Sequence, residues 1–352
     1  MVASSLTVCA WSNASSIMGK MEVSRREFVQ RMISLGFSAA TAGALFPLLG
    51  CSPGDVSLAT PTLAPTPAPT PPAPQGVAPG PTPGGTHLAV ARGKSPTAMV
   101  QAAIKALGGI ERFVRPGNDV IVKPNICVAY HSYEYAATTN PEVVGAVVGL
   151  CLGAGARRVR VLDQPLGGTT QQAYNRSGID EAVRAAGGQM EVMSSMKFRD
   201  VSIPNGRDIT RWSVYGDVLD ADVVINIPIA KHHNLARLTL GMKNLMGVIR
   251  NRNQFHSNLG QRVADLNSLV RPSLTVVDAV RILMNHGPTG GSLDDVKLTN
   301  TIIASPDIVA ADAYAATLFG LTGADIPAVR AGAEMGLGTM DFKTIKTEEI
   351  EV

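Results

Sequence analysis

Cysteine is scarce in this chain, with four in 352 residues, and no two of them form a CxxC pair. An iron–sulfur cluster held by one chain takes about four thiolates, and a structural zinc site takes closely spaced Cys and His pairs. Neither is expected here. A divalent metal on Asp and His, or an organic cofactor, remains as an open cofactor class. Aromatic residues make up only 5%, the basic residues cluster locally and no RNA-recognition signature occurs, so no nucleic-acid partner is expected. No GxGxxG follows a strand-like run to open a helix and no P-loop sequence appears, so dinucleotide or nucleotide binding has no direct support.

A further absence is local: no Asp or Glu occurs from Val223 to Ala264. Within that span, Lys231 to His256 carries five Lys/Arg and three of the chain's six His. A solvated helix face mixes both charge signs. An acid-free cluster beside the apolar run Val223 to Ile229 predicts instead a preorganised anion site. Gly241 and Gly247 let backbone approach a ligand, while Asn234, Asn244 and Asn251 supply neutral donors and acceptors.

Near the amino terminus, Ser24-Arg25-Arg26-Glu27-Phe28 precedes an uncharged run of nineteen residues, Met32 to Gly50, ending Leu48-Leu49-Gly50-Cys51. The run is short for a membrane span, rich in Gly, Ala and Ser, and interrupted by Pro47. Arg25 and Arg26 with this run predict a twin-arginine export signal, read by the translocase, over residues 1–50. The lipobox resembles that of bacterial lipoproteins, which implies cleavage before Cys51 and lipidation of Cys51. Met18 and Met21 are alternative starts. Residues 51–86 alternate Pro with small residues and cannot pack. The 35 residues from Ser52 to Thr86 could reach roughly 100 Å as polyproline II. The expected location is the outer face of the cytoplasmic membrane, anchored in lipid. The formal net charge of +3 falls to +1 once residues 1–50 are removed, since they hold four basic and two acidic groups. Cys127 and Cys151 then remain. A disulfide between them is open to an exported protein, but Cys151 falls on the buried face of a predicted helix, which favours free thiols.

From residue 87 to about 340, apolar strands alternate with amphipathic helices. Strands are predicted at His87 to Arg92, Asp119 to Lys123, Arg158 to Asp163, Met190 to Met193, Asp222 to Ile227, Leu274 to Asp278 and Thr301 to Ala304. Several are near-continuous Val/Ile runs, as strands buried on both faces require. Helices are predicted at Pro96 to Leu107, Pro141 to Leu152, Gly178 to Ala186, Leu259 to Leu269 and Ile308 to Leu318. Ser95 and Asn140 stand as caps before first-turn prolines, and Gly108, Gly153 and Gly187 follow last turns. The alternation predicts an α/β fold: a mostly parallel, doubly wound sheet with helices on both faces, as one large domain or as two lobes around a cleft. Residues 341–352 read as a polar tail.

Ligands of such sheets bind at the carboxyl ends of strands. Lys123-Pro124-Asn125, Asp163, Lys231-His232-His233 and Asp278 all stand at such ends, so one crevice could gather them. Lys123, Asn125, Lys231, Asn244 and Arg250 are candidates for binding a carboxylate or phosphate. His232, His233 and Lys243 are candidates for proton transfer. Asp163 and Asp278 could orient an imidazole or hold a divalent metal, with capping of a turn as the plainer role. His256 and His286 are additional metal-ligand candidates, and Asp307 reads as a helix cap.

These motifs resemble the domain-of-unknown-function-362 family of bacteria and archaea. The resemblance runs through Leu107-Gly108-Gly109-Ile110, Val120-Ile121-Val122-Lys123-Pro124-Asn125, Thr138-Thr139-Asn140-Pro141 and Ala221-Asp222-Val223-Val224-Ile225-Asn226-Ile227-Pro228. It continues in Lys231-His232-His233, Thr239-Leu240-Gly241-Met242-Lys243-Asn244-Leu245-Met246-Gly247, Val277-Asp278-Ala279, Gly287-Pro288, Asp307 and Asp312. Many members append a ferredoxin-like module, which this chain lacks, so electrons would come from a separate redox partner. A shorter echo, His233, Gly241, Lys243 and Gly247, is similar to the catalytic subunit of nickel-dependent lactate racemase and implies proton-transfer chemistry. Three functions compete: an enzyme acting on a small anion, preferred because histidines and glycines accompany the cations; an anionic-solute-binding lipoprotein; and a redox or cofactor protein exported folded.

Overall fold

The computed structural model describes residues 87–352; Arg25, Arg26, Cys51 and the Pro-rich tether lie outside the described residues. The strands are β1 (Leu88–Arg92), β2 (Asp119–Pro124), β3 (Arg158–Val161), β4 (Gln189–Met190), β5 (Phe198–Ser202), β6 (Arg211–Tyr215), β7 (Val223–Ile227), β8 (Ile229–His233), β9 (Arg237–Thr239), β10 (Leu274–Leu283), β11 (Val296–Ser305) and β12 (Thr347–Glu351). The helices are α1 (Pro96–Ala106), α2 (Pro141–Gly153), α3 (Thr170–Ser177), α4 (Ile179–Ala185), α5 (Gly216–Asp220), α6 (Gly241–Asn244), α7 (Leu259–Leu269), α8 (Ile308–Thr317) and α9 (Pro327–Glu334).

One ten-stranded sheet organises the described residues. Its main path runs β12-β1-β11-β10-β7-β2-β3-β4, and β8 pairs with β10 and β9 off that path. The stretch β10-β7-β2-β3-β4 is parallel throughout. Antiparallel β11 joins β10 to β1, and β12 lies parallel to β1 at the edge. The sheet is continuous, so the two-lobe arrangement does not apply. Residues 341–352 are more than a tail, because β12 pairs along the whole of β1.

Alternation along the strands divides the core into two layers. On one face Ala89, Ala91, Val120 and Val122 pack with Val100 of α1, Val147 of α2 and Val183 of α4. On the other, Val90, Ile121, Val224 and Val277 pack with Val263 of α7, Val309 of α8 and Val329 of α9. The doubly wound fold follows from this. The caps act as expected: Ser95 accepts from the Ala98 amide and Asn140 from the Glu142 amide. The predicted helix at Gly178 begins one residue later, since Gly178 sits at φ 75° and separates α3 from α4. Polar α3 escaped prediction, although Thr169 and Gln172 form a capping box.

From β2 the chain steps outward through β3 and β4, and β7 then returns to the opposite side of β2, with β10 beyond it. The switch point of the sheet therefore lies between β2 and β7. A crevice opens at their carboxyl ends, where ligands of open α/β sheets bind.

Candidate functional site

Lys123 is paired with Asn226 across the β2–β7 switch point. Pro228, which has no N–H to give a ladder, interrupts β7 before β8 resumes alongside β10. The β8–β9 pairing sets Lys231 opposite Thr239. With side chains alternating along β8, Lys231 and His233 take one face and His232 the other. On that first face is a cavity of about 720 Å³, lined by Lys123, Asp163, Lys231, His233, Lys243 and Arg252, among others.

The charges at the cavity floor are tightly held. Lys123 Nζ lies 2.7 Å from Asp163 Oδ1, 2.8 Å from the Pro124 carbonyl and 3.0 Å from Asn244 Oδ1. Asp163 also accepts from the amides of Ile126 at 2.6 Å and Gln164 at 2.8 Å. Burial pulls the Lys123 ammonium below its ordinary range, against the attraction of Asp163. Lys231 Nζ donates to the Ala137 carbonyl at 2.6 Å, the Pro288 carbonyl at 2.8 Å and Asn125 Oδ1 at 3.1 Å. Each ammonium has three protons to give, and both spend all three on the protein. They act on a ligand chiefly through their field.

A chain of amides fixes this arrangement. Asn125 donates to Asn244 at 2.9 Å, Asn244 to Asn226 at 2.8 Å, and Asn226 to the Gly241 carbonyl at 2.9 Å. Asp312 accepts the Gly241 and Met242 amides at 2.7 and 2.8 Å, fixing the start of α6. Burial pushes its carboxyl up to about 7 in spite of those bonds.

Lys243, on α6, differs from the other two lysines. It lines the cavity, and its amine makes no hydrogen bond or ion pair with the described residues. Burial, with the charges of Lys231 and Arg252 added, lowers it to about 7. His233 Nδ1 accepts from the amides of Leu235 at 3.1 Å and Ala236 at 3.3 Å. Burial and the neighbouring lysines push this imidazole down to about 3. It is therefore neutral, and the hydrogen bonds at Nδ1 assign its proton to Nε2. Arg252 donates to the carbonyls of Gln164 and Pro165 with guanidinium donors left over. Thr239 Oγ1 is buried on this wall without a partner among the described residues.

The sequence profile of the domain of unknown function DUF362 matches residues 120–317, more than half the chain and every residue named in the cavity. The chain belongs to the DUF362 family. It is similar to a thylakoid-associated protein of Synechocystis, 28% identical over an alignment of 255 residues that covers 68% of this chain and 75% of that one. Among solved structures it resembles the lactate racemase apoprotein from Thermoanaerobacterium thermosaccharolyticum, with 12% identity and a TM-score of 0.40, covering 62% of this chain and 54% of that one. A structural-genomics protein from Thermotoga maritima gives 11% identity and a TM-score of 0.41, covering 64% and 60% respectively. The chain thus spans less than two thirds of either structure.

In this DUF362 protein the cavity gathers Lys123, Asn125, Asp163, Lys231, His233, Lys243 and Asn244. Three other candidates lie outside it. His232 Nδ1 accepts the Gly287 amide at 3.1 Å on the far side of β8. Arg250 is exposed and stacks on Phe198 at 4.8 Å. Asp278 is wholly buried, accepts the amides of Asn140 at 2.7 Å and Val280 at 3.0 Å, and is pushed up to about 6 by that burial. Asp163 has both oxygens engaged by Lys123 and the Ile126 and Gln164 amides, and no imidazole among the described residues bonds to it. Among the described residues no group of three His, Cys, Asp or Glu is placed to hold a metal. His256 does line the cavity, whereas His286 pairs with Asp295 at 2.8 Å. Arg252 was missed as an individual residue, although it lies inside the acid-free run. Cys127 also lines the cavity, while Cys151 belongs to α2, and both are free and buried.

Proposed function

We propose that this protein is an enzyme that binds a small carboxylate or phosphate in the cavity and moves a proton on it with Lys243. The observation carrying this reading is the unpartnered Lys243 amine, set among cations whose own donors are largely engaged. Of the four cationic side chains on the wall only Lys123 has an acidic partner there, Asp163. An anion entering the cavity meets uncompensated positive charge in a partly desolvated site, where such charge acts strongly. An amine held near 7 is about half protonated at neutral pH, the condition in which one group serves well as both base and acid. His233 supplies a neutral N–H donor rather than the base. Exported by the twin-arginine route and tethered through a lipid on Cys51, the enzyme would act outside the cytoplasm.

The test uses the full chain in heavy water, with a panel of small carboxylates and phosphate esters followed by proton NMR. Deuterium should enter a carbon next to the anionic group in at least one compound, and Lys243→Met should abolish entry while anions still bind. Binding without exchange across the panel would make the protein an anionic-solute-binding lipoprotein instead. Failure of every anion to bind would remove both readings.

A further inference from the structure

A second cavity, of about 220 Å³, lies beside the first and on the other face of β9. Alternation along that strand and through the extended Leu240 that follows it separates them: Thr239 turns to the anion cavity, while Leu238 and Leu240 turn to the second. Lys243 and His256 line both and stand between them. The remaining wall is largely apolar, with Leu259 and Val263 of α7 and Ala328 of α9. Its one acid, Asp312, has its oxygens turned to the Gly241 and Met242 amides. Leu235 lies at this cavity and is exposed, so it adds apolar surface at the cavity's edge.

A dry cavity of roughly 150 Å³ already accepts a benzene ring, so the second cavity exceeds what one ring or a short branched chain needs. It also shares with the anion site the one cavity lysine that has no partner among the described residues. We propose that the ligand of this protein is an amphipathic anion, its charged end beside Lys243 in the larger cavity and its apolar end packed between β9 and α7. The inference rests on the anion-binding reading and adds the ligand's other half. It assigns Leu238, Leu240 and Ala328 as residues that set how large the apolar end can be. Ligands without that end bind through charge alone.

Calorimetry on the full chain with acetate, butanoate, hexanoate, phenylacetate, dodecanoate and inorganic phosphate tests this. Affinity should rise by about fourfold per methylene buried and level off once the second cavity is full. Ala328→Phe, which fills that cavity, should flatten the series and leave acetate and phosphate unchanged. Leu235→Ser, at an exposed position where folding is not at risk, should weaken the longer acids alone. A series that is flat in the unaltered protein, with acetate and phosphate still bound, would overturn this inference and leave the anion site standing. So would a gain that continues through dodecanoate and survives Ala328→Phe, since that is unspecific apolar binding. No binding of any probe would remove the anion site itself.

Discussion

Lys123 Nζ and Asp163 Oδ1 meet at 2.7 Å with both side chains almost completely buried, and Gly247 lies flush against the pair. A Cβ at position 247 would stand 2.5 Å from Lys123 Nζ and nearer still to Asp163. The glycine is required here by close approach, not by its backbone angle. Removing one partner of a buried pair leaves the other charge uncompensated. Asp163→Asn should therefore destabilise by about 3–5 kcal/mol, and Gly247→Ala by about 1–3 kcal/mol through overpacking. Urea unfolding measures both, and recovery of stability in a Lys123→Met/Asp163→Asn double variant would show that the pair is the cause.

The lowered Lys243 value gives anion binding a defined pH dependence. A bound anion favours the ammonium form, so above pH 7 binding must take up a proton. Sulfate affinity should be flat below about pH 6 and fall above pH 7, toward about tenfold per unit. His233, neutral down to about 3, adds no slope in that range. Calorimetry across pH should find the slope missing in Lys243→Gln; a slope that persists there would assign it to another group. In the free protein the sign reverses. The unfolded chain holds the extra proton between about 7 and the ordinary lysine range, so Lys243's contribution to stability rises with pH across that window.

His232 and His233 are neighbours with opposite fates. His233→Phe removes an N–H donor from the cavity and should weaken sulfate by about fivefold, the worth of one hydrogen bond of about 1 kcal/mol. His232→Phe loses only the contact to the Gly287 amide and should lower stability without changing sulfate affinity. Equal effects of the two on binding would contradict the strand alternation that separates them.

Asn244 joins both halves of the polar network, since its oxygen accepts from Lys123 and Asn125 and its nitrogen donates to Asn226. Asn244→Leu should leave buried donors unpaired at about 1–3 kcal/mol each. Loss of sulfate binding should accompany it, because Asn125 also positions Lys231. Denaturation and calorimetry on the same sample separate the two effects.

Much of this protein was determined by sequence alone, for local reasons. Val/Ile runs that bury both strand faces, caps at Ser95 and Asn140, and prolines in first turns specify the βα alternation without long-range information. The acid-free run from Val223 to Ala264 likewise marked the cationic wall of the cavity, because charge imbalance is visible in one dimension. Elements lacking such signals went unseen: polar α3, the short β8 and β9, and β12, an edge strand whose partner β1 lies over 250 residues away. Tertiary structure decided which charges are free. Lys123 and Lys231 stood in the sequence as direct ligand binders, yet both give every proton to protein oxygens, most of them from distant segments, while Lys243 finds no partner among the described residues. It also decided between His232 and His233, because the parity of a strand assigns a side to each residue only once the sheet shows which face holds the cavity.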